Sequence, residues 1–100
     1  MDKKKLLQFM TLLHQQQLER LSKEFPNCPE PEHYARVAVK TGKKYTKVDV
    51  GDSGKYMVVN DTGEIFGIKG YGVIHRGHKY GTLDTINDWF WGNYVAHKKN

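Results

Sequence analysis

Gly-Ile-Lys-Gly-Tyr-Gly-Val-Ile-His-Arg-Gly-His-Lys-Tyr-Gly-Thr, residues 67–82, is the stretch on which the reading of this chain turns. Its sixteen residues hold five glycines, two histidines, three cations and two tyrosines. The glycine spacing is not that of a dinucleotide-binding turn: Gly70-x-Gly72 is followed only at Gly77, and no long helix comes after. The Gly-Lys-Ser/Thr of a phosphate-binding loop is missing too. In strand-like sequence, glycines mark bulges, corners of a small barrel or close approach of two backbones. The stretch therefore reads as a bent β-strand, with Arg76-Gly-His-Lys79 at an exposed tip where binding residues often sit.

Hairpin signals surround it. Asn60-Asp-Thr-Gly63 is a strong turn, Gly51-Asp-Ser-Gly54 another and Thr41-Gly42 a weaker one. Alternation between them places strands near 34–40, 43–50, 55–60, 64–69, 71–76 and 89–97. All ten glycines lie between Gly42 and Gly92, whereas all three prolines fall at Pro26, Pro29 and Pro31. The chain thus divides into a glycine-free N-terminal segment (1–25), a proline hinge (26–33) and a β-rich body (34–100).

Residues 3–25 read as an amphipathic helix. Leu7, Met10, His14, Leu18, Leu21 and Phe25 recur at three- and four-residue spacing, and Leu6 and Leu13 widen the stripe. Phe9 and Leu12 fall toward the other side. So wide an apolar surface suits two neighbours within the chain or a second copy of it, a homodimer through this helix. Asp2 can cap the helix and Pro26 ends it. Gln15, Gln16 and Gln17 are helix formers that need no further role. The expected fold is one α+β domain: a long N-terminal helix packed on a curved antiparallel sheet or small open β-barrel of five to six strands.

One hundred residues form one domain, and a chain of this size buries roughly 60–70% of its unfolded surface. No apolar run approaches the length of a membrane-spanning helix. The charged start is not followed by the apolar run and cleavage site of a secretion signal. The single cysteine, Cys28, precludes an internal disulfide. A cytoplasmic protein is the expectation. The net charge of +5 is unevenly spread. Residues 1–34 carry five cations and five acids, and residues 35–100 carry eleven cations and six acids. Such an excess favours polyanions or acidic protein surfaces, or serves solubility alone.

Four constellations bear on chemistry. In residues 35–48, Arg36, Lys40, Lys43, Lys44 and Lys47 occur without an acid. With a two-residue turn at Thr41-Gly42, Lys40 faces Lys43, Ala38 faces Tyr45 and Arg36 faces Lys47. Alternation then places Arg36, Lys40, Lys43, Lys47 and Tyr45 on one face. Opposed like charges destabilise a hairpin unless an anion covers them. A second basic-aromatic cluster holds Arg76, His78 and Lys79 with Tyr71 and Tyr80. Third, His75-x-x-His78 offers at most two metal ligands, with Asp84, Asp88 and His97 as candidates to complete a set for a small metal-dependent nuclease. Fourth, Trp89, Phe90, Trp91 and Tyr94 form an aromatic tail. Alternation separates the tryptophans from Phe90, either capping the core or leaving one tryptophan exposed for stacking. Thr85-x-x-Asp88 resembles a capping box. No motif calls for a cofactor.

Residues 44–51, 54–58 and 62–86, Lys-Tyr-Thr-Lys-Val-Asp-Val-Gly, Gly-Lys-Tyr-Met-Val and Thr-Gly-Glu-Ile-Phe-Gly-Ile-Lys-Gly-Tyr-Gly-Val-Ile-His-Arg-Gly-His-Lys-Tyr-Gly-Thr-Leu-Asp-Thr-Ile, resemble small proteins encoded by bacteriophages and mobile elements. The resemblance spans about 44–97 and implies a context, an accessory protein in a bacterial host, but no catalytic residue. On it rests the functional expectation of a non-enzymatic protein that binds nucleic acid or a nucleic-acid-handling complex. The surface would comprise Arg36, Lys40, Lys43, Tyr45, Lys47, Arg76, His78, Lys79 and Tyr80. The alternatives are a protein inhibitor of a host defence system, of the anti-CRISPR kind, and the His-x-x-His nuclease.

Overall fold

The computed structural model describes residues 2–70, 73–92 and 96–99. The first element is the long helix α1 (Lys3–Glu24). The Asp2 carboxylate caps it, accepting from the N–H groups of Lys4 and Lys5 at 2.9 and 3.3 Å. The last turn closes as the Phe25 N–H donates to the Leu21 carbonyl, and Pro26 follows. The rotation of this helix corrects the apolar stripe. Leu6, Phe9, Leu13, Gln16 and Gln17 are its buried side chains, whereas Leu7 and Phe25 are 60% and 55% exposed. Phe9, assigned above to the outer side, is wholly buried. Its ring sits 4.7 Å from Trp91 and 6.0 Å from Tyr56 in edge-to-face contact. Two overlapping apolar stripes competed for the core, and an aromatic ring there gains more than a leucine. Leu7 and Phe25 lie eighteen residues apart, roughly 27 Å along the axis at 1.5 Å per residue, with Met10, His14, Leu18 and Leu21 of the same stripe half-buried between them.

The hinge is not wholly extended. Pro31–Ala35 form a short helix, α2, with Pro31 in its first turn, where a missing N–H costs nothing. His14, on the helix side away from the core, donates to the Ala35 carbonyl at 2.9 Å and holds α2 against α1.

The body is an open five-stranded antiparallel sheet in the order β1-β2-β3-β4-β5. Its strands are β1 (Val37–Thr41), β2 (Tyr45–Val50), β3 (Ser53–Val59), β4 (Glu64–Gly70) and β5 (Val73–Thr82). Each pairs with its neighbour in sequence. Gly63 takes φ +74° in the turn expected at Asn60–Gly63, a conformation open to glycine at little cost. The weaker turn lies elsewhere. The Gly42 N–H donates to the Tyr45 carbonyl, so the turn residues are Lys43 and Lys44 rather than Thr41 and Gly42.

The strand expected over 89–97 is instead β6 (Trp89–Phe90), paired with β7 (His97–Lys98) as a separate two-stranded ribbon. Tyr94 lies outside the described residues. Trp91 is fully buried and Trp89 half-buried against the core, so neither is the exposed stacking residue. Phe90, on the opposite side as alternation requires, meets His97. Thr85 precedes a short 3-10 turn, Ile86–Asp88, but makes no side-chain cap there. Its hydroxyl instead accepts from the Thr82 N–H and donates to the Thr82 carbonyl.

The core closes around Trp91. Its backbone N–H donates to Gln16 Oε1 at 2.7 Å, and its carbonyl accepts from Gln17 Nε2 at 2.6 Å. Its indole N–H donates to the Ile86 carbonyl at 2.9 Å. Two of the three glutamines thus have a structural role that helix propensity did not indicate. Gly92 permits this approach: a Cβ there would stand 2.7 Å from the Gln16 carbonyl oxygen.

Replacing Gln17 by methionine keeps the side-chain length but leaves the buried Trp91 carbonyl unpaired. Unfolding free energy should fall by about 1–3 kcal/mol, against less than about 0.5 kcal/mol for Gln15→Ala at the exposed neighbour. Urea titrations of the two variants read this difference.

Candidate functional site

The sheet has two faces with different chemistry. On β1 and β2, Val48, Val50 and Thr46 are buried toward α1. Ala38, Lys40, Tyr45 and Lys47 point the other way by alternation. The register departs from expectation: Lys40 stands opposite Lys47, and Ala38 opposite Asp49. The slip is an even number of residues, so Lys40, Tyr45 and Lys47 keep the side expected of them. Lys43 moves into the adjoining turn, with Lys44, whose ammonium lies 5.9 Å from the Tyr45 ring. Arg36 leaves the group. It precedes β1, pairs with Asp52 and donates to the His33 carbonyl at 2.6 Å.

The glycine stretch is not a loop tip at Arg76–Lys79. Phe66 pairs with Lys79 while its neighbour Gly67 pairs with His75. Arg76, Gly77 and His78 are therefore extra residues bulged from the middle of β5. β4 ends at Gly70 and β5 begins at Val73, and Tyr71 of the second cluster lies outside the described residues. A bulge re-aims side chains, and this one sends its two polar residues to opposite sides. Arg76 crosses the outer face: its Nη2 donates to the Tyr45 hydroxyl at 2.6 Å. Its guanidinium lies 6.0 Å from the Tyr45 ring centre and 5.8 Å from that of Phe66. Phe66 and its cross-strand partner Met57 are buried, yet they stand outside the main core cluster. The two basic clusters, thirty-one residues apart, thus meet on one face. Lys79 is also there but is bound to Glu64 at 2.6 Å. That hydrogen bond, then one from Thr62, holds the Glu64 carboxyl below its usual range.

His78 and Tyr80 do not join this face. Tyr80 is a core residue, packed edge-on against Tyr56, Trp89 and Trp91. His78 lies beside it, and the His75 and His78 rings approach to 4.1 Å, which a straight strand would prevent. Both line a cleft of about 460 Å³ behind the sheet, with Gln17 and Arg20 of α1, Tyr34, and Lys55 and Tyr56 of β3. A second bulge supplies Lys55. Val48 pairs with Tyr56 and Asp49 with Gly54, leaving Lys55 as the extra residue. Burial, and then the Arg20 charge, push the Lys55 ammonium below its ordinary pKa. Burial holds the Tyr56 phenol above its usual range, so it is neutral at physiological pH.

Among the described residues no group of three or more His, Cys, Asp or Glu side chains is placed to hold a metal ion. Asp84 is engaged by Lys5 of α1, and His97 lies against Phe90. The His75–His78 pair therefore finds no third ligand among the described residues for the nuclease chemistry considered above. Arg20, Lys55 and Phe66 were absent from the expected site. Arg20 read as an ordinary helix cation, and no local signal marked the Lys55 bulge.

No helix among the described residues is long and apolar enough to cross a membrane. The molecule is an α+β protein with an open sheet, one face cationic and aromatic, the other backed by a helix and a cleft. No family model, curated protein or solved structure matches the chain.

The His75 imidazole is held below its ordinary pKa by partial desolvation first, then by His78 and Lys69. The unfolded chain therefore takes up this proton more readily, and stability is lost as pH falls from the ordinary imidazole range through the folded value. An NMR titration should find His75 titrating low, and His78→Ala should raise its midpoint. An unchanged midpoint in that variant would show the ring pair to be uncoupled.

Proposed function

We propose that this chain is a non-enzymatic binding protein that holds single-stranded nucleic acid on the outer face of its sheet. The supporting observation is the bridge from Arg76 to Tyr45 and Phe66 across the middle of that face. A guanidinium fixed by a phenol is preorganised, so less side-chain freedom is lost when an anion binds. Lys40 and Lys47 stand beside it on the strands, and Lys43 and Lys44 at the rim. Lys40 and Lys43 have no ion pair among the described residues. Arg36 and Lys79 contribute less, each already bound to a carboxylate. Phosphates would run along the lysines while bases stack on Tyr45 and the guanidinium plane. In this proposal the protein acts in the cytoplasm of a bacterial host as an accessory factor of a phage or mobile element.

Fluorescence anisotropy with labelled DNA and RNA 20-mers tests it. Engagement of four phosphates would give a slope of about −3 in log affinity against log salt. Tyr45→Ala removes the stacking ring and should weaken binding roughly tenfold. Arg36→Gln should change little. Absence of binding to either polymer at low salt would overturn the reading in favour of a protein target for the same face.

A further inference from the structure

The cleft behind the sheet has a composition that packing alone does not require. Arg20, Lys55, His75 and His78 all line it, and no carboxylate does. Two of its polar groups are buried with no hydrogen-bond partner among the described residues: the Tyr56 hydroxyl and Arg20 Nε. Tyr56 is only 3% exposed. Glu24 Oε2 stands 3.8 Å from Arg20 Nε, an ion-pair distance too long for a hydrogen bond. Buried donors are ordinarily satisfied, and one left unsatisfied is costly. The exception calls for an acceptor from outside the chain.

The cleft is also shaped for more than an ion. Its volume of about 460 Å³ falls within the range of small-molecule sites. Tyr34 and the closely set His75 and His78 rings give it flat aromatic walls. Both bulges serve this place, one bringing Lys55 and the other His78. It lies on the opposite side of the sheet from Tyr45 and Arg76.

We propose that the cleft is a binding site for a small phosphate monoester carrying a planar organic group. Arg20 and Lys55 hold the phosphate, with the Tyr56 hydroxyl as a neutral donor. The planar group rests against the His75 and His78 rings and Tyr34. Arg20 presents a planar fork that matches a phosphate edge, and Lys55 adds a point charge. A monocarboxylate would satisfy the arginine alone, whereas a dianion with three acceptor oxygens uses the whole donor set.

The test is an NMR titration of the intact protein with adenosine monophosphate, inorganic phosphate and adenosine. Saturable shifts of the His75, His78 and Tyr34 ring signals are expected with the monophosphate. Inorganic phosphate should bind at least tenfold more weakly and compete, and adenosine should bind more weakly still. Arg20→Gln should lower monophosphate affinity about tenfold with an unchanged melting temperature, and Tyr45→Ala should leave it unaltered. Silence with both phosphate-bearing probes, shifts confined to Tyr45, or adenosine binding as tightly as the monophosphate would each overturn the site. Equal affinity for inorganic phosphate and the monophosphate would overturn the role of the ring walls. Apart from shifts at Tyr45, these outcomes do not bear on the outer face, which the Tyr45→Ala oligonucleotide measurement reads separately.

Discussion

The grip of two adjacent glutamines on the backbone of Trp91 is the contact on which the rest of the structure depends. A buried peptide group needs partners for both its N–H and its carbonyl, and a strand would normally supply them. Here Gln16 and Gln17 do so from a helix, at 2.7 and 2.6 Å. The indole fills the space between Phe9 and Tyr56, joining helix, sheet and C-terminal segment in one core. The same grip sets the rotation of α1. Arg20 follows Gln16 by four residues and Gln17 by three, so the rotation that holds Trp91 also carries Arg20 to the cleft.

Upon that frame, two irregularities in the sheet distribute the charged groups. A strand of unbroken alternation would repeat one face every second residue. The three-residue bulge in β5 breaks that rule, with Arg76 over Phe66 on one side and His78 beside Tyr80 on the other. The one-residue bulge at Lys55 does the same on a smaller scale. Gly77, within the bulge, is tolerated there because the backbone leaves regular pairing.

The large features of the fold were legible in the residues themselves: the capped helix ending before Pro26, the hairpin at Asn60–Gly63 and the antiparallel body. What escaped depended on choices among near-equal local alternatives. Leu7 and Phe9 both head plausible apolar stripes, and only the position of Trp91, more than eighty residues away, decides between them. Thr41-Gly42 and Lys43-Lys44 are both workable turns, and Gly42 bonding to Tyr45 selects the second. At the candidate site, Lys40, Tyr45 and Lys47 share the side that alternation gives them because an even register slip preserves the face, while Arg76 reaches them only through the β5 bulge. His78 and Tyr80 were misplaced because a bulge within a strand and a turn between two strands leave the same glycine-rich trace in sequence.

The order of events during synthesis follows from the distance between the two halves of the glutamine grip. Each strand of the sheet pairs with the one made just before it, so the body can assemble hairpin by hairpin as it emerges. The helix cannot complete its core so early. Its partner lies 74 and 75 residues downstream, which at 5–20 residues per second is a delay of roughly 4–15 s. Throughout it, the Phe9 side of α1 has no Trp91 to receive it. A nascent chain of this protein therefore carries the Phe9 side of α1 without its indole partner until Trp91 emerges.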